Sequence, residues 1–187
     1  LQKAHRIIYV RHGSIIANGE PLAQNQSAYY QNPLYLSGNA ALSEIWRWEL
    51  STPNDTPHLI LGTDTLSLLK IAHVITTLEV EPGTNWLFRL DKVTSAAGRI
   101  TPRHRHKGPG IRCLYQGTFN VQGQAYPTEN MAPGDAWWES GEETIVAWHS
   151  NQMPAIFIRV LLLPTDTKGD MSNICETGVA SPKSNWQ

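Results

Sequence analysis

Short apolar and β-branched runs, broken every few residues by Gly, Pro or Asn, make up most of the chain. "IIYVRHGSIIANGEPL" (7–22) reads as two strands about a turn, and "IRCLYQGTFNVQGQAY" (111–126) reads the same way. "NWLFRLDKVTSAAGRITPRHRH" (85–106) gives two more, and "ETIVAWHSNQMPAIFIRVLLLP" (143–164) closes the set. Many short strands with frequent turn signals predict an all-β sandwich or barrel. Residues 66–81, "LSLLKIAHVITTLEVE", suit either a helix or a strand. Residues 165–187 are polar and aperiodic, so they read as a tail that wraps the domain or stays loosely ordered.

The runs repeat. "IIYVRHGSIIANG" (7–19) lies over "IRCLYQGTFNVQG" (111–123) without a gap, setting Gly13 on Gly117 and Gly19 on Gly123. "LAQNQSAYYQ" (22–31) follows over "MAPGDAWWES" (131–140), and "WRWEL" (46–50) over "IRVLL" (158–162). The repeat also decides how to read Arg11-His12-Gly13, which resembles the opening of the histidine phosphatases. His12 falls on Gln116, and a phosphoryl acceptor has no reason to repeat as glutamine. That reading further needs a later His-Gly and a βαβ alternation, and the sequence supplies neither.

Composition narrows the classes. A formal charge of -1 with 17% charged residues gives no basic patch for nucleic acid or an anionic membrane surface. No apolar run is long enough for a membrane helix, and no signal peptide is recognisable. The two cysteines, Cys113 and Cys175, are too far apart for a zinc ribbon or a disulfide framework, which makes a reduced, cytoplasmic setting the default expectation. The chain opens on Leu1 rather than methionine, which leaves room for an upstream segment.

The second copy carries recognisable chemistry. "GRITPRHRHKGPGIRCLYQG" (98–117) sets a glycine, five residues, His-x-His and then a strand closing on glycine; "APGDAWWESGEETIVA" (132–147) holds a Pro-Gly-Asp turn between strands. These stretches resemble the first and second motifs of the cupin superfamily, over roughly residues 7–50 and 85–163. The resemblance implies tandem jelly-roll β-barrels, a bicupin, whose lumen often holds a divalent metal.

His104 and His106 alternate about Arg105 on a predicted strand, so both imidazoles leave one face. They are the expected metal ligands, for iron, zinc, nickel, manganese or copper. The chain departs from the family at two ligand positions: Gly110 stands where the family has its glutamate, and Thr144 near its last histidine. Glu139, Glu142, Glu143 or His149 could complete the shell, water could, or the site binds no metal; Glu139, at the end of its strand, is the first choice among the residues. Period-2 alternation from 110 points Arg112 inward, where its guanidinium either grips a ligand's carboxylate or phosphate or pairs internally with Glu139. Arg112 and Glu139 are the candidate catalytic groups. Trp137, Trp138 and Tyr115 read as barrel wall or inter-barrel packing rather than a ligand cage, Trp46 and Trp48 as packing between the two barrels or against a partner chain, and Cys113 as a small buried hydrophobe.

The domain reading is a degenerate cupin half with a connecting segment (1–84), a barrel with the candidate site (85–163) and a tail (164–187). The same shift that carries Gly13 onto Gly117 places the counterpart of His106 at Gln2, so the first copy is expected to bind no metal and to fill its lumen with Ile8, Val10 and Ile16. Its missing strands are expected from "HLIL" (58–61), from the run around Leu66–Val80, or from a second chain in a homodimer. The function expected is metal-dependent chemistry, of dioxygenase, isomerase or lyase type, on a small anionic, carboxylate-bearing molecule, with a non-catalytic ligand sensor as the alternative.

Overall fold

Two glycines in left-handed conformation, Gly13 (φ +73°) and Gly117 (φ +86°), turn the chain between strands at equivalent points of the repeat. The structure, a computed structural model, describes residues 4–31, 33–39, 41–52, 64–76, 78, 85–123, 128–150 and 152–176. It divides into two compact units, Leu1–Leu68 and Leu69–Gln187.

In the first unit, β1 (His5–His12), β2 (Ser14–Ala17), β3 (Glu20–Ala23), β4 (Ser27–Gln31), β5 (Leu36–Gly38) and β6 (Glu44–Leu50) form two antiparallel sheets, ordered β4-β1-β6 and β3-β2-β5. Ile8 and Val10 from one sheet meet Ile15 and Ala17 from the other in a buried cluster. The expected Ile16 is only half-buried, and Ile15 takes its place. Alternation does not run through the Gly13 turn, which moves β2 one residue out of phase with β1. Trp46 and Trp48 do share a face, with ring centroids 6.3 Å apart. Arg11 pairs with Glu44 and lies over the Trp46 ring, while His12 is exposed.

The second unit contains β7 (Trp86–Ser95), β8 (His104–His106), β9 (Gly110–Gln116), β10 (Phe119–Gln122), β11 (Thr128–Met131), β12 (Ala136–Glu139), β13 (Val146–Trp148), β14 (Ala155–Pro164) and β15 (Asn173–Cys175). Sheets ordered β12-β9-β14-β7 and β11-β10-β13 face each other, with β15-β8 as a short third ladder. Leu114 and Phe157 from the first sheet pack with Phe119, Val121, Met131 and Ala147 from the second. Each such large side chain contributes on the order of 1.5–3 kcal/mol when buried. This is a jelly-roll arrangement, and its lumen is divided along the strands. Leu114 lies at the apolar end, and Arg112, two residues earlier on the same face of β9, begins a polar end.

The repeat holds at the level of strand pairing. Ile7 faces Tyr29 and Trp48, as Ile111 faces Trp138 and Val160; Ile8 faces Ala28 and Arg47, as Arg112 faces Trp137 and Arg159. These are the partners the sequence alignment requires. The run 66–81 is neither helix nor strand over its described residues 66–76 and 78, and Leu66, Leu68 and Leu69 are exposed there. The "HLIL" stretch lies outside the described residues. Of the tail, residues 165–176 continue into a single 3-10 turn and β15, and β15 pairs with β8.

Candidate functional site

β8 presents His104 and His106 inward and Arg105 outward, as the alternation requires; the imidazoles are 6% and 5% exposed. Their ring centroids are 5.2 Å apart and nearly perpendicular. His104 Nδ1 lies 2.9 Å from the Pro102 carbonyl. A carbonyl only accepts, so Nδ1 carries the proton and Nε2 keeps its lone pair. Burial lowers the pKa of His104 and pushes that of His106 down to about 3, so both rings are neutral at pH 7.

Glu139 arrives from β12, directly across the ladder from Gly110. A side chain at 110 itself is excluded, because a Cβ there would stand 2.2 Å from the Val160 carbonyl oxygen. The Glu139 carboxylate is thus carried by the neighbouring strand, across the ladder from position 110. Glu139 Oε2 lies 2.7 Å from Arg112 Nη2 and 3.0 Å from His106 Nε2, and Oε1 accepts from Trp137 Nε1 at 2.8 Å. Burial alone would raise its pKa, but Arg112 leads a set of partners that hold it well below the usual carboxylate range. Arg112 is 1% exposed and also donates from Nη1 to the Gly110 carbonyl. Arg112 makes the internal ion pair with Glu139. Its pKa, lowered to about 10 mainly by burial, keeps it charged.

The structure thus brings His104, His106, Arg112 and Glu139 into one buried cluster. Glu142 is exposed, and Glu143 folds over Gly123, where a Cβ would meet its Oε1 at 2.5 Å. His149 stands apart, bonded through Nε2 to Ser95 Oγ and stacked on Phe119. Thr144 bonds Glu176 rather than the cluster. A second buried pair, Arg159 with Asp91 at 3.0 Å, adjoins the first, and Arg159 Nη1 reaches Asn173 Oδ1 at 3.5 Å. Arg159 and Asp91 had a signal in sequence, each being a charge inside an apolar run, "IFIRVLLL" and "WLFRLDKV"; Asn173 had none.

Two cavities flank the cluster. One of about 330 Å³ is lined by His106, Arg105, Lys107 and Gly141. The other, about 130 Å³, is lined by Glu139, Trp137 and Trp138, with His73 stacked on Trp138 at 4.7 Å. Ser140 borders both.

Two neutral imidazoles and a carboxylate suit first-row metals in kind. His106 Nε2 and Glu139 Oε2 are 3.0 Å apart, and this contact helps to hold Glu139 ionised. The match is partial in place, because among the described residues no group of three or more His, Cys, Asp or Glu side chains is set to hold a metal.

No protein-family profile matches the chain, and no curated protein matches it in sequence. Solved structures do. AerE from Microcystis aeruginosa is similar with a TM-score of 0.59 at 15% identity, over 86% of this chain and 78% of that one. Oxalate decarboxylase gives 0.59 at 11% identity, over 94% of this chain and 66% of that one. Salicylate 1,2-dioxygenase from Pseudoaminobacter salicylatoxidans gives 0.54 at 10% identity, over 94% and 68%. Among the described residues no helix is long and apolar enough to cross a membrane. The all-β sheets, the facing jelly-roll core and these likenesses agree on one architecture: the chain has the cupin fold.

Proposed function

We propose that the second unit is a metal-dependent cupin domain that binds, and acts on, a small carboxylate-bearing molecule, and that the first unit is its degenerate tandem copy. The observation that carries this reading is the convergence of His104, His106, Arg112 and Glu139 in one buried cluster beside two cavities. His104 and His106 would hold the ion, with Glu139 beside them. When bound, it would supply Lewis-acid polarisation of a carbonyl or carboxyl oxygen.

The chain's own residues do the rest. Pro102 fixes the His104 ring with Nε2 available, the kind of outer partner that orients a ligating imidazole. Arg112 keeps Glu139 ionised. At His104 and His106 the charge of Glu139 is opposed by those of Arg112 and Arg159. The likeness to oxalate decarboxylase and salicylate 1,2-dioxygenase, whose names specify carboxylate substrates, supports the same ligand class. The alternative, a non-catalytic ligand sensor, is favoured by one observation: Gly110 and Thr144 leave two of the family's ligand positions without a donor, and Thr144 is engaged elsewhere.

The deciding experiment loads purified protein with Co(II) or Zn(II) and measures bound metal after desalting, in the wild type and in His104→Ala/His106→Ala. One ion per chain in the wild type and none in the double variant is expected. Oxalate titrated into the Co(II) form should then shift its visible spectrum. Equal metal content in both proteins would sink the assignment.

A further inference from the structure

β8, the strand that carries both imidazoles, is three residues long and has little support of its own. Its ladder partner among the described residues is β15, in the register His104–Cys175, Arg105–Ile174 and His106–Asn173. On its other side, among the described residues, it makes an isolated bridge to Ile145 and the bond from His106 N to the Gly141 carbonyl. The chain around β15 is pinned beyond both ends of β8: Lys107 N donates to the Ser172 carbonyl at 2.8 Å, and Glu176 N to the Arg103 carbonyl at 3.2 Å. Thr167 and Ser172 are fully buried, so the segment is packed into the unit.

The side chains carry the same connection. Glu176 accepts from Thr144 Oγ1 at 2.7 Å on one oxygen and from Arg103 Nε at 2.8 Å on the other. It therefore ties the end of β15 to the residue immediately before β8 and to the residue beside Ile145. Asn173 Oδ1, opposite His106, receives Arg159 Nη1, linking β15 to the buried ion pairs of the lumen. Thr144 is the position near which the cupin pattern places its last histidine. In this chain its hydroxyl holds the tail instead.

We propose that residues 165–176 are part of the site: β15 sets the position of His104 and His106, Glu176 is the clamp, and Thr144 is its anchor. Glu176 contacts neither imidazole, so it is a positioning residue acting through β8. Its exposure makes its contribution to global stability small. Its loss frees the end of a three-residue ladder, a local opening rather than unfolding. The consequence for metal binding rests on the function proposed above, whereas the clamp itself does not.

The test uses Cys175, which lies in β15 in no disulfide and opposite His104, as the reporter of strand opening; buried Cys113 is the internal reference. Alkylation rates are read by mass spectrometry in the wild type, Glu176→Ala, Thr144→Val and Glu176→Gln. Cys175 should react at least about tenfold faster in Glu176→Ala and Thr144→Val, as expected when a bond to a charged group is lost. The Cys113 rate should not change. Glu176→Gln keeps an acceptor for Thr144 and should restore most of the protection. In copper-loaded protein the Cu(II) paramagnetic resonance spectrum should change in the first two variants and return in Glu176→Gln. Unchanged Cys175 rates in both Glu176→Ala and Thr144→Val would overturn the clamp. A wild type that takes up no copper would count against the metal reading alone, with the thiol rates still deciding the clamp.

Discussion

Arg112 and Arg159 stand directly opposite one another across β9 and β14, and each guanidinium is matched to a carboxylate from the strand beyond, Glu139 on β12 and Asp91 on β7. Across the sheet the charges read minus, plus, plus, minus. Two like charges facing each other in a buried place persist only because each is neutralised on its outer side, so removing one carboxylate leaves a guanidinium that no described group replaces. Glu139→Ala should therefore destabilise the protein by about 3–5 kcal/mol, the cost of breaking a buried pair. Urea unfolding would measure it, and a loss below about 1 kcal/mol, the range of exposed pairs, would show that water already reaches the cluster.

The pH dependence follows from the same burial. In the metal-free protein His106 is held to about 3, against ~6.5 in an unfolded chain. Between those limits the unfolded state binds a proton that the folded state refuses, so the stability is fully present above about pH 6.5 and is lost as pH falls, at up to about 1.4 kcal/mol per unit. His104, also lowered, acts in the same direction. Glu139, with its folded pKa depressed, adds a further loss below about pH 4.3. Urea midpoints at pH 7, 5.5 and 4.5 should fall in the wild type and fall less in His106→Asn. Parallel curves for the two proteins would mean that the ring is not buried neutral.

Gly110 gives a steric prediction. With the Val160 carbonyl oxygen 2.2 Å from the place of its Cβ, and backbone on that side, no rotamer relieves the contact. Gly110→Ala should cost more than about 2 kcal/mol, as overpacking of a tight site does. Gly110→Glu, which restores the family's residue, should abolish folding rather than improve metal binding. A soluble, folded Gly110→Glu protein, by circular dichroism, would show that β9 and β14 can separate.

Much of this was legible in the residues. The repeat predicts that the two copies pair their strands in matching register, with Gly13 and Gly117 at equivalent turns. Period 2 sets His104 and His106 on one face, and the cupin resemblance, which aims position 110 inward, aims Arg112 with it. Ile16 was misplaced because a left-handed glycine resets the phase of alternation, and periodicity carries no record of that. The role of β15 was illegible for a different reason. "NIC" is three residues in a polar tail, and its partner β8 is equally short, so neither offers a hydrophobic pattern; the pairing comes from the long-range bonds of Ser172, Asn173 and Glu176.

The strand-level repeat also allows the ionic cluster to be rebuilt as its apolar counterpart. By strand register Ile8 is the counterpart of Arg112, and Tyr30, packed against the Ile8 cluster, is the counterpart of Glu139. The fold thus carries both an apolar and an ionic version of the same position. A buried ion pair contributes little net stability against well-packed apolar groups of similar volume, because desolvation offsets its Coulomb energy. Arg112→Ile/Glu139→Tyr should then unfold at a urea concentration at or above that of the wild type, and should recover the several kcal/mol that Glu139→Ala alone loses. It should also bind less Co(II), since the carboxylate beside His106 is gone. A double variant as unstable as Glu139→Ala would mean that the second lumen is shaped around its charges, and that the equivalence of the two copies stops at the backbone.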